Sequence, residues 1–184
     1  SITINGIDVY DIPNAEKRKL FGYVDQGFFL IKGTVAEQIS LKDRDIKKEA
    51  IKNALEFVGL KDYVDGLEKG MDTIVSSESL FSQGQKQLLA IARAIVTDPP
   101  ILLLDEITAN LDSLTEEKIT SVLQRVGSAH TILSISHRLS SMVAGDKVVI
   151  LEHGSVKTAG SPEELLKKDE WYRSHIALEK LTWG

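Results

Sequence analysis

The 184 residues are 42% hydrophobic and 27% charged, the composition of one soluble globular domain, and no apolar run approaches the about 20 residues of a membrane-spanning helix. The formal net charge of -5 argues against a nucleic-acid partner, because proteins that bind nucleic acid usually carry a basic excess. The chain has no cysteine, so disulfides and thiolate metal sites are excluded.

The first predicted element is a β-hairpin. Short apolar stretches flank Asn5-Gly6, a pair that favours a tight hairpin turn because both residues tolerate a positive φ. A natural N-terminus seldom lies inside a strand, so we interpret this start as a fragment boundary. After the hairpin, residues 20–24 form an apolar run that predicts a strand ending just before Gln26.

Helical periodicity dominates from about residue 35 to residue 97. Apolar residues recur at helical spacing between 46 and 58, and Gly59 follows where the cap of a helix C-terminus is expected. A second helix is predicted after Ser82, with a broad apolar face that includes Leu88, before consecutive prolines break the chain.

Beyond residue 98 the chain alternates between strand and helix. In chain order, the predicted elements are the strand 101–104, the helix 114–126, the strands 131–135 and 147–151, and a helix capped by Ser161. The first of these strands is apolar throughout, as expected for a strand buried on both faces of a parallel sheet. We therefore predict a single α/β domain, with its core in residues 1–34 and 98–184 and a helical subdomain inserted over about 35–97.

Reactive side chains follow two of the predicted strands. Asp105 and Glu106 come directly after the run 101–104, and His137 follows the strand 131–135. Ligands of open parallel sheets bind beyond the carboxyl ends of the strands. An aspartate there can hold Mg²⁺, and an adjacent glutamate can polarise an attacking water. Taken singly, such an acidic pair more often begins a loop, and a lone histidine is usually a surface residue.

The order of five short motifs resembles the ATP-binding-cassette family over nearly the whole chain. In chain order they are the Q-loop glutamine Gln26, the signature Phe81-Ser82-Gln83-Gly84-Gln85, the Walker B residues Asp105 and Glu106, the D-loop Ala109-Asn110-Leu111-Asp112 and the H-loop histidine His137. The resemblance implies a P-loop NTPase-like (RecA-like), mostly parallel sheet with an inserted helical subdomain. It also implies an ATPase with ATP and Mg²⁺ as ligands, a second such ATPase domain as a head-to-tail partner, and a transmembrane domain.

The resemblance implies a hydrolytic role for four residues. Asp105 would hold Mg²⁺ indirectly, and Glu106 would activate the attacking water. His137 would contact the γ-phosphate of ATP. Gln26 would sense Mg²⁺ and water and link the nucleotide to the transmembrane domain.

The resemblance also implies a role for the signature and the D-loop across a dimer. Ser82, Gln83, Gly84 and Gln85 would contact the ATP held by the opposing subunit, and Asp112 would communicate between subunits. The residues alone predict a capping box, in which Ser82 and Gln85 open a helix. A helix N-terminus attracts anions, and Gly84 allows a phosphate to approach the backbone, although an ordinary helix cap explains the same pattern.

Two departures from the family pattern concern the expected activity of the chain. Phe81 and Gln83 stand where the commonest signature has leucine and glycine. The chain also contains no G-x-x-x-x-G-K-[ST] loop, which supplies the backbone amides and the lysine that hold the phosphates. We therefore expect this chain by itself to bind MgATP weakly and hydrolyse it negligibly, and to expose an apolar sheet edge that favours self-association.

Two further stretches resemble exporters within the family. Residues 33–39 and 137–140 match the exporter pattern, which implies a transport ATPase. Such an ATPase would lie at the cytoplasmic face of a membrane, attached through a transmembrane domain, and the chain itself would be soluble. Two alternatives stay open at this stage. One is a noncatalytic partner cassette of a heterodimeric transporter, and the other is an ATPase of this family that is not involved in transport.

Overall fold

The computed structural model describes residues 1–75, 80–108, 111–138 and 145–182. Side chains are described for all of these except residues 180–182. The chain divides into two compact units, residues 1–134 and 135–184. Each unit has its own cluster of buried apolar side chains.

The first unit combines a small parallel sheet with several helices. Its elements are β1 (Thr3–Ile4), β2 (Ile7–Asp8), α1 (Asn14–Leu20), β3 (Phe21–Val24), β4 (Gly33–Thr34), α2 (Val35–Ser40), α3 (Lys48–Phe57), α4 (Lys61–Asp65), a 3-10 turn (Gly70–Asp72), β5 (Ile74–Val75), α5 (Gln83–Ile95), β6 (Ile101–Asp105), α6 (Ser113–Gly127) and β7 (Thr131–Ile135), whose last residue begins the second unit. The predicted α/β fold is confirmed, with β3, β6 and β7 adjacent in that order in one sheet.

Helix α5 packs closely against one face of this sheet. Strands β3 and β6 are parallel, with Gly22 opposite Leu102 and Val24 opposite Leu104, and all four residues are buried. A Cβ on Gly22 would lie 2.4 Å from the carbonyl oxygen of Ala94 in α5, so only glycine permits this approach of strand and helix. The face that carries these residues is therefore the one that α5 covers.

The other face of β3 and β6 is more open than the sequence suggested. Tyr23 is 55% exposed, and Leu103 and Asp105 are half-buried. The expectation that the run 101–104 is buried on both faces is therefore wrong for the described residues. The physical reason is that α5 covers one face only, so alternate side chains of the strand stay accessible.

The predicted local signals are mostly confirmed. Asn5 and Gly6 have φ of 50° and 82°, as the tight turn between antiparallel β1 and β2 requires. Helix α3 lies within the predicted helical stretch, and Gly59 at φ 73° follows its end. Helix α1 was not predicted, because it buries none of its residues and so leaves no apolar periodicity to detect.

The region from 35 to 97 is mainly helical, as predicted. Helices α2, α3 and α5 contribute to one core whose fully buried side chains include Ile39, Leu55 and Leu89. Each fully buried side chain of this kind contributes roughly 1.5–3 kcal/mol. A two-residue antiparallel pairing of β4 with β5 was not predicted, because it is too short to produce an alternating pattern.

The second unit consists of a hairpin and two helices. Its further elements are β8 (Val148–Glu152), β9 (Ser155–Gly160), α7 (Pro162–Lys168) and α8 (Glu170–Thr182). Strands β8 and β9 are antiparallel, and Ser161 forms the predicted capping box of α7. Val148 and Leu165 pack in a small core with Tyr172, which is fully buried. In the part of the chain that the structure describes, no helix is both long enough and apolar enough to cross a membrane.

Candidate functional site

The carboxyl ends of β3 and β6 bring together two of the predicted site residues. Val24 and Leu104 are paired across the parallel strands, so the residues that follow them leave the sheet side by side. Gln26 donates a hydrogen bond from its Nε2 to Oε2 of Glu106, over 3.2 Å. The two residues are 80 positions apart in sequence, so only the strand pairing makes them neighbours.

Glu106 has an unusual backbone conformation. Its φ is 48°, in the left-handed region that residues other than glycine seldom adopt and that costs roughly 1–3 kcal/mol. Strain of this kind persists only where the surrounding structure enforces it, and it is concentrated at functional sites. The conformation turns the chain sharply at the end of β6, where Glu106 meets the amide of Gln26.

Asp105 is the last residue of β6 and lies on the open face of the sheet. Burial raises the pKa of Tyr23, and the negative charges of Asp25 and Asp105 raise it further, so all three groups share this region. Among the described residues, no group of three or more histidine, aspartate or glutamate side chains is arranged to hold a metal. The single carboxylate of Asp105 fits a Mg²⁺ ion held through its own water shell, since this ion keeps several waters when proteins bind it.

Helix α5 holds the loop that carries Gln26. Gln87, which is 1% exposed, donates a hydrogen bond from Nε2 to the carbonyl oxygen of Gln26, over 3.1 Å. The other amide atom of Gln87, Oε1, is buried and has no hydrogen-bond partner among the described residues. An unsatisfied buried acceptor of this kind costs roughly 1–3 kcal/mol.

Arg93 and Gln38 fix the far end of the same loop. The Nε of Arg93 donates to the carbonyl oxygen of Gln38 over 2.7 Å, and its Nη2 donates to that of Phe29 over 3.3 Å. The guanidinium stands 4.3 Å from the ring centroid of Phe28, and its burial lowers the pKa of Arg93. Gln38 is fully buried and binds both the N–H and the carbonyl oxygen of Ile31, over 2.9 and 2.8 Å. We call residues 26–31 the anchored loop.

Sequence reasoning missed Gln38, Gln87 and Arg93. The signal that was available is a polar residue within the apolar face of a helix, because such a residue is buried only when its polar atoms have partners. Residues 35–39 and 87–94 both show this pattern. The identity of the partners depends on the path of the anchored loop and cannot be read from the helices alone.

The signature residues form the N-terminus of α5, as predicted. Ser82 Oγ accepts from the N–H of Gln85 over 3.2 Å, and Gln85 Oε1 accepts from the N–H of Ser82 over 2.8 Å, which completes the capping box. Ser82 and Gln83 are exposed, whereas Phe81 is buried at 2% exposure. The exposed end of α5 therefore presents backbone N–H groups to the surroundings on a firmly packed base.

Asp112 caps α6 and connects the D-loop to the signature. Its Oδ1 accepts from the N–H of Thr115 over 3.0 Å, and its Oδ2 accepts from Thr115 Oγ1 over 2.7 Å. These hydrogen bonds, the side-chain one most of all, lower the pKa of Asp112. A Cβ on Gly84 would lie 2.3 Å from Cγ2 of the same Thr115. Residues 109–110 of the predicted D-loop lie outside the described residues.

This contact predicts the effect of a substitution at Gly84. We expect Gly84→Ala to destabilise the chain by about 1–2 kcal/mol, since overpacking of about 1–3 kcal/mol exceeds the gain of about 1 kcal/mol from alanine in a helix. Thr115 cannot rotate away without losing its hydroxyl bond to Asp112. Urea unfolding measures the effect. In a Thr115→Ser background, which removes the obstructing methyl group, Gly84→Ala is expected to be neutral or stabilising; an unchanged penalty there would contradict this explanation.

His137 lies in the second unit, two residues after the end of β7. Next to it, Ser136 Oγ accepts from the N–H of Arg138 over 3.0 Å and donates to the carbonyl oxygen of the same residue over 3.2 Å, which forms a local turn. Residues 139–140 of the predicted H-loop lie outside the described residues. The role that the motif implies for His137 stays a prediction.

Comparison with known proteins establishes the family. The model of the family described as ABC transporter matches residues 1–109, which is more than half of the chain. The chain therefore belongs to the ABC transporter family. A solved structure of a bacterial Atm1-family ABC exporter with ATP bound matches with a TM-score of 0.84 and 34% identity, and covers 96% of this chain and 31% of that one. The fold is accordingly that of the ATPase domain of an ABC exporter.

Curated relatives agree with this assignment. The chain is 37% identical to an uncharacterized ABC transporter ATP-binding protein, YfiC, of Bacillus subtilis, over 93% of this chain and 28% of that protein. It is 38% identical to an ATP-dependent lipid A-core flippase of Ralstonia nicotianae, over 93% of this chain and 30% of that protein. The chain thus spans about 30% of the length of these relatives.

Proposed function

We propose that this chain is part of the ATP-hydrolysing motor of an ABC exporter. The observation that carries the proposal is the contact between Gln26 and Glu106 at the end of the strand that also bears Asp105. A carboxylate held in a strained conformation and bonded to a polar loop is the arrangement expected of a group that orients water. The exporter assignment is supported by the lipid flippase and exporter relatives.

The proposed chemistry is in-line attack of water on the γ-phosphate of ATP. Glu106 orients the water and takes its proton as the new bond to phosphorus forms, while the bond to the β-phosphate oxygen breaks to give ADP and phosphate. Asp105 and Gln26 are the residues that would hold Mg²⁺, which neutralises the charge that develops on the phosphates. His137 is proposed to contact the γ-phosphate, as its motif implies.

The signature is proposed to act on a second copy or a related cassette. Ser82, Gln83, Gly84 and Gln85 would cover the ATP of the opposing subunit with the exposed N-terminus of α5. Asp112 would relay the state of one subunit to the other. The bridge from Asp112 through Thr115 to Gly84 supports this role, because it links both motifs within one subunit.

The transmembrane domain is proposed to dock beside the anchored loop. Phe29 is 74% exposed between two firmly held ends of this loop. It borders a cleft of about 390 Å³ that β3, the loop and α5 line together. An apolar side chain on a rigid support suits a partner helix better than it suits water. This partner would place the domain at the cytoplasmic face of a membrane.

We also propose the domain layout expected from the motifs. Residues 1–34 and 98–184 would form the ATPase core, and residues 35–97 would form the helical subdomain that carries the signature. The anchored loop, at the boundary of these two parts, is held from α2 and α5, so the proposed subdomain would contact the core through this loop.

A second candidate is a noncatalytic partner cassette, which would complete the site of another subunit. The observation that favours it is Gln83, which is exposed where the signature usually has glycine. The intact pair of Glu106 and Gln26 favours the catalytic alternative, because a cassette that only completes another site does not need it.

MgATP hydrolysis tests the proposed function directly. The 184 residues lack a G-x-x-x-x-G-K-[ST] loop, so we expect negligible steady-state turnover from them and measurable turnover from a version extended upstream through such a loop. Micromolar affinity of the short chain for MgATP would contradict the expected weakness. Absence of turnover in the extended version, alone and with candidate partner cassettes, would contradict the proposed ATPase.

A further inference from the structure

We propose that Gln87 is a positioning residue, which sets where Gln26 presents its side-chain amide to Glu106. This inference rests on the proposed ATPase function, and it concerns a residue outside the five motifs. Gln87 lies on α5, little more than one helical turn beyond the capping box of Ser82. Its side chain reaches the anchored loop rather than the exposed N-terminus of the helix.

Two hydrogen bonds in series connect α5 to Glu106. The carbonyl oxygen of Gln26 can only accept, so the amide of Gln87 must turn its Nε2 toward it, at 3.1 Å. The side chain of the same Gln26 then donates to Glu106 over 3.2 Å. A displacement of α5 is therefore transmitted to the carboxylate through a single intervening residue.

A comparison with Gln38 separates this role from ordinary stabilisation. Both glutamines are buried and both bind the anchored loop. Gln38 uses both of its amide atoms, one on the N–H and one on the carbonyl oxygen of Ile31. Gln87 uses only Nε2, and its buried Oε1 has no hydrogen-bond partner among the residues that the structure describes.

The amide of Gln87 therefore contributes one hydrogen bond to the anchored loop, where the amide of Gln38 contributes two to Ile31. An unbranched apolar side chain of similar length would fill the same space without a buried unpaired acceptor. Polar groups that weaken a core while fixing the geometry of a site are typical of functional positions. We therefore assign the amide of Gln87 to the placement of the Gln26 carbonyl.

The test is Gln87→Met in the full-length protein. We expect kcat for MgATP to fall about 10- to 100-fold, because a displacement of about 1 Å in a positioning group has effects of this size. The KM for ATP is expected to change by less than about twofold, since no group that touches the nucleotide is removed. The melting temperature is expected to stay within about 3 °C of the wild-type value, because the lost hydrogen bond and the removed unpaired acceptor offset each other.

A control and a double-mutant cycle separate positioning from packing. Ile91→Val removes a methyl group from a buried residue of the same helix and is expected to lower the melting temperature without lowering kcat. Gln26→Ala alone is expected to lower kcat, and Gln87→Met is expected to cause no further loss in that background, because its effect passes through Gln26.

Each other outcome overturns the inference. A wild-type kcat in Gln87→Met, or the same fold-loss with and without the Gln26 side chain, would mean that Gln87 does not act through that side chain. A kcat that falls only in proportion to thermal stability, as judged against Ile91→Val, would mean that its role is packing. If the wild-type protein has no ATPase activity that Glu106→Gln removes, the proposed function fails and this inference fails with it. If the wild-type protein has such activity and only the Gln87 variants behave otherwise than expected, this inference alone fails.

Discussion

Glu106→Gln is expected to lower MgATP turnover of the full-length protein by about 10²- to 10⁴-fold while ATP still binds, since this is the usual contribution of a general base. The substitution keeps the size of the side chain and leaves an oxygen that can accept from Gln26, so the contact at 3.2 Å can persist. What is lost is the negative charge that takes the proton of the attacking water. Single-turnover hydrolysis of MgATP measures the effect, and nucleotide binding is measured on the same samples.

The same variant is expected to accumulate as an ATP-bound dimer, because hydrolysis is the step that would reopen it. Size-exclusion chromatography with and without MgATP measures this accumulation. Glu117→Gln is the matched control, since Glu117 is an exposed carboxylate on α6 and its neutralisation should change neither turnover nor dimer fraction. Wild-type turnover by Glu106→Gln would show that another group is the catalytic base.

Arg93→Ala is expected to destabilise the chain by about 2–4 kcal/mol, the largest loss that we predict for a single side chain outside the apolar core. It removes both hydrogen bonds to the backbone of the anchored loop and of α2, and it removes the contact with the ring of Phe28. For a chain of this length, the melting temperature should fall by about 4–16 °C. Urea unfolding and thermal unfolding both measure the change.

Two further variants test the explanation for Arg93. Arg93→Lys is expected to recover little of the loss, because one ammonium group cannot donate along both directions of the guanidinium fork. Arg125→Ala is the matched control. Arg125 also binds a backbone carbonyl, that of Phe57 at 2.7 Å, and stands 5.0 Å from the ring of the same residue. Because Arg125 is exposed, its removal should lower the free energy of unfolding by about 1 kcal/mol or less. Equal losses for the two arginines would mean that burial does not set the effect.

Gln87→Met and Arg93→Ala are expected to change different properties, turnover in the first case and stability in the second, although both residues hold the anchored loop. The first removes an amide that is only half satisfied and should affect kcat more than stability. The second removes a cation that bonds two separate carbonyl groups and should affect stability at least as much as turnover. The pair therefore separates the placement of Gln26 from the folding of the loop that carries it.

Local sequence determined the elements whose signals involve neighbouring residues. The Asn5-Gly6 turn, the capping boxes that begin at Ser82 and Ser161, and the apolar strand before Asp105 all follow from backbone preferences within a few positions. Helix α1 escaped prediction because its stability does not depend on a buried face. The order of the motifs also indicated the family before any geometry was known.

Tertiary structure decided which of the candidate residues meet. The parallel register of β3 with β6 places Gln26 against Glu106, although 80 residues separate them. In the folded chain Gly84 also lies against Thr115, so there is a steric reason for glycine at this position that the motif alone did not suggest. It also left one face of the strand 101–104 accessible, where an all-apolar sequence predicted burial on both sides.

The sequence by itself determined the family and the α/β class and predicted the chemical type of the site, since these depend on residue identity and short-range spacing. The hydrogen bonds of Gln87 and Arg93 to the anchored loop were decided only by the fold. The physical reason is that a glutamine or an arginine within the apolar face of a helix indicates only that a polar partner exists, and not which group that partner is. The partner here is a backbone carbonyl, which every residue carries, so no side chain in the sequence could identify it.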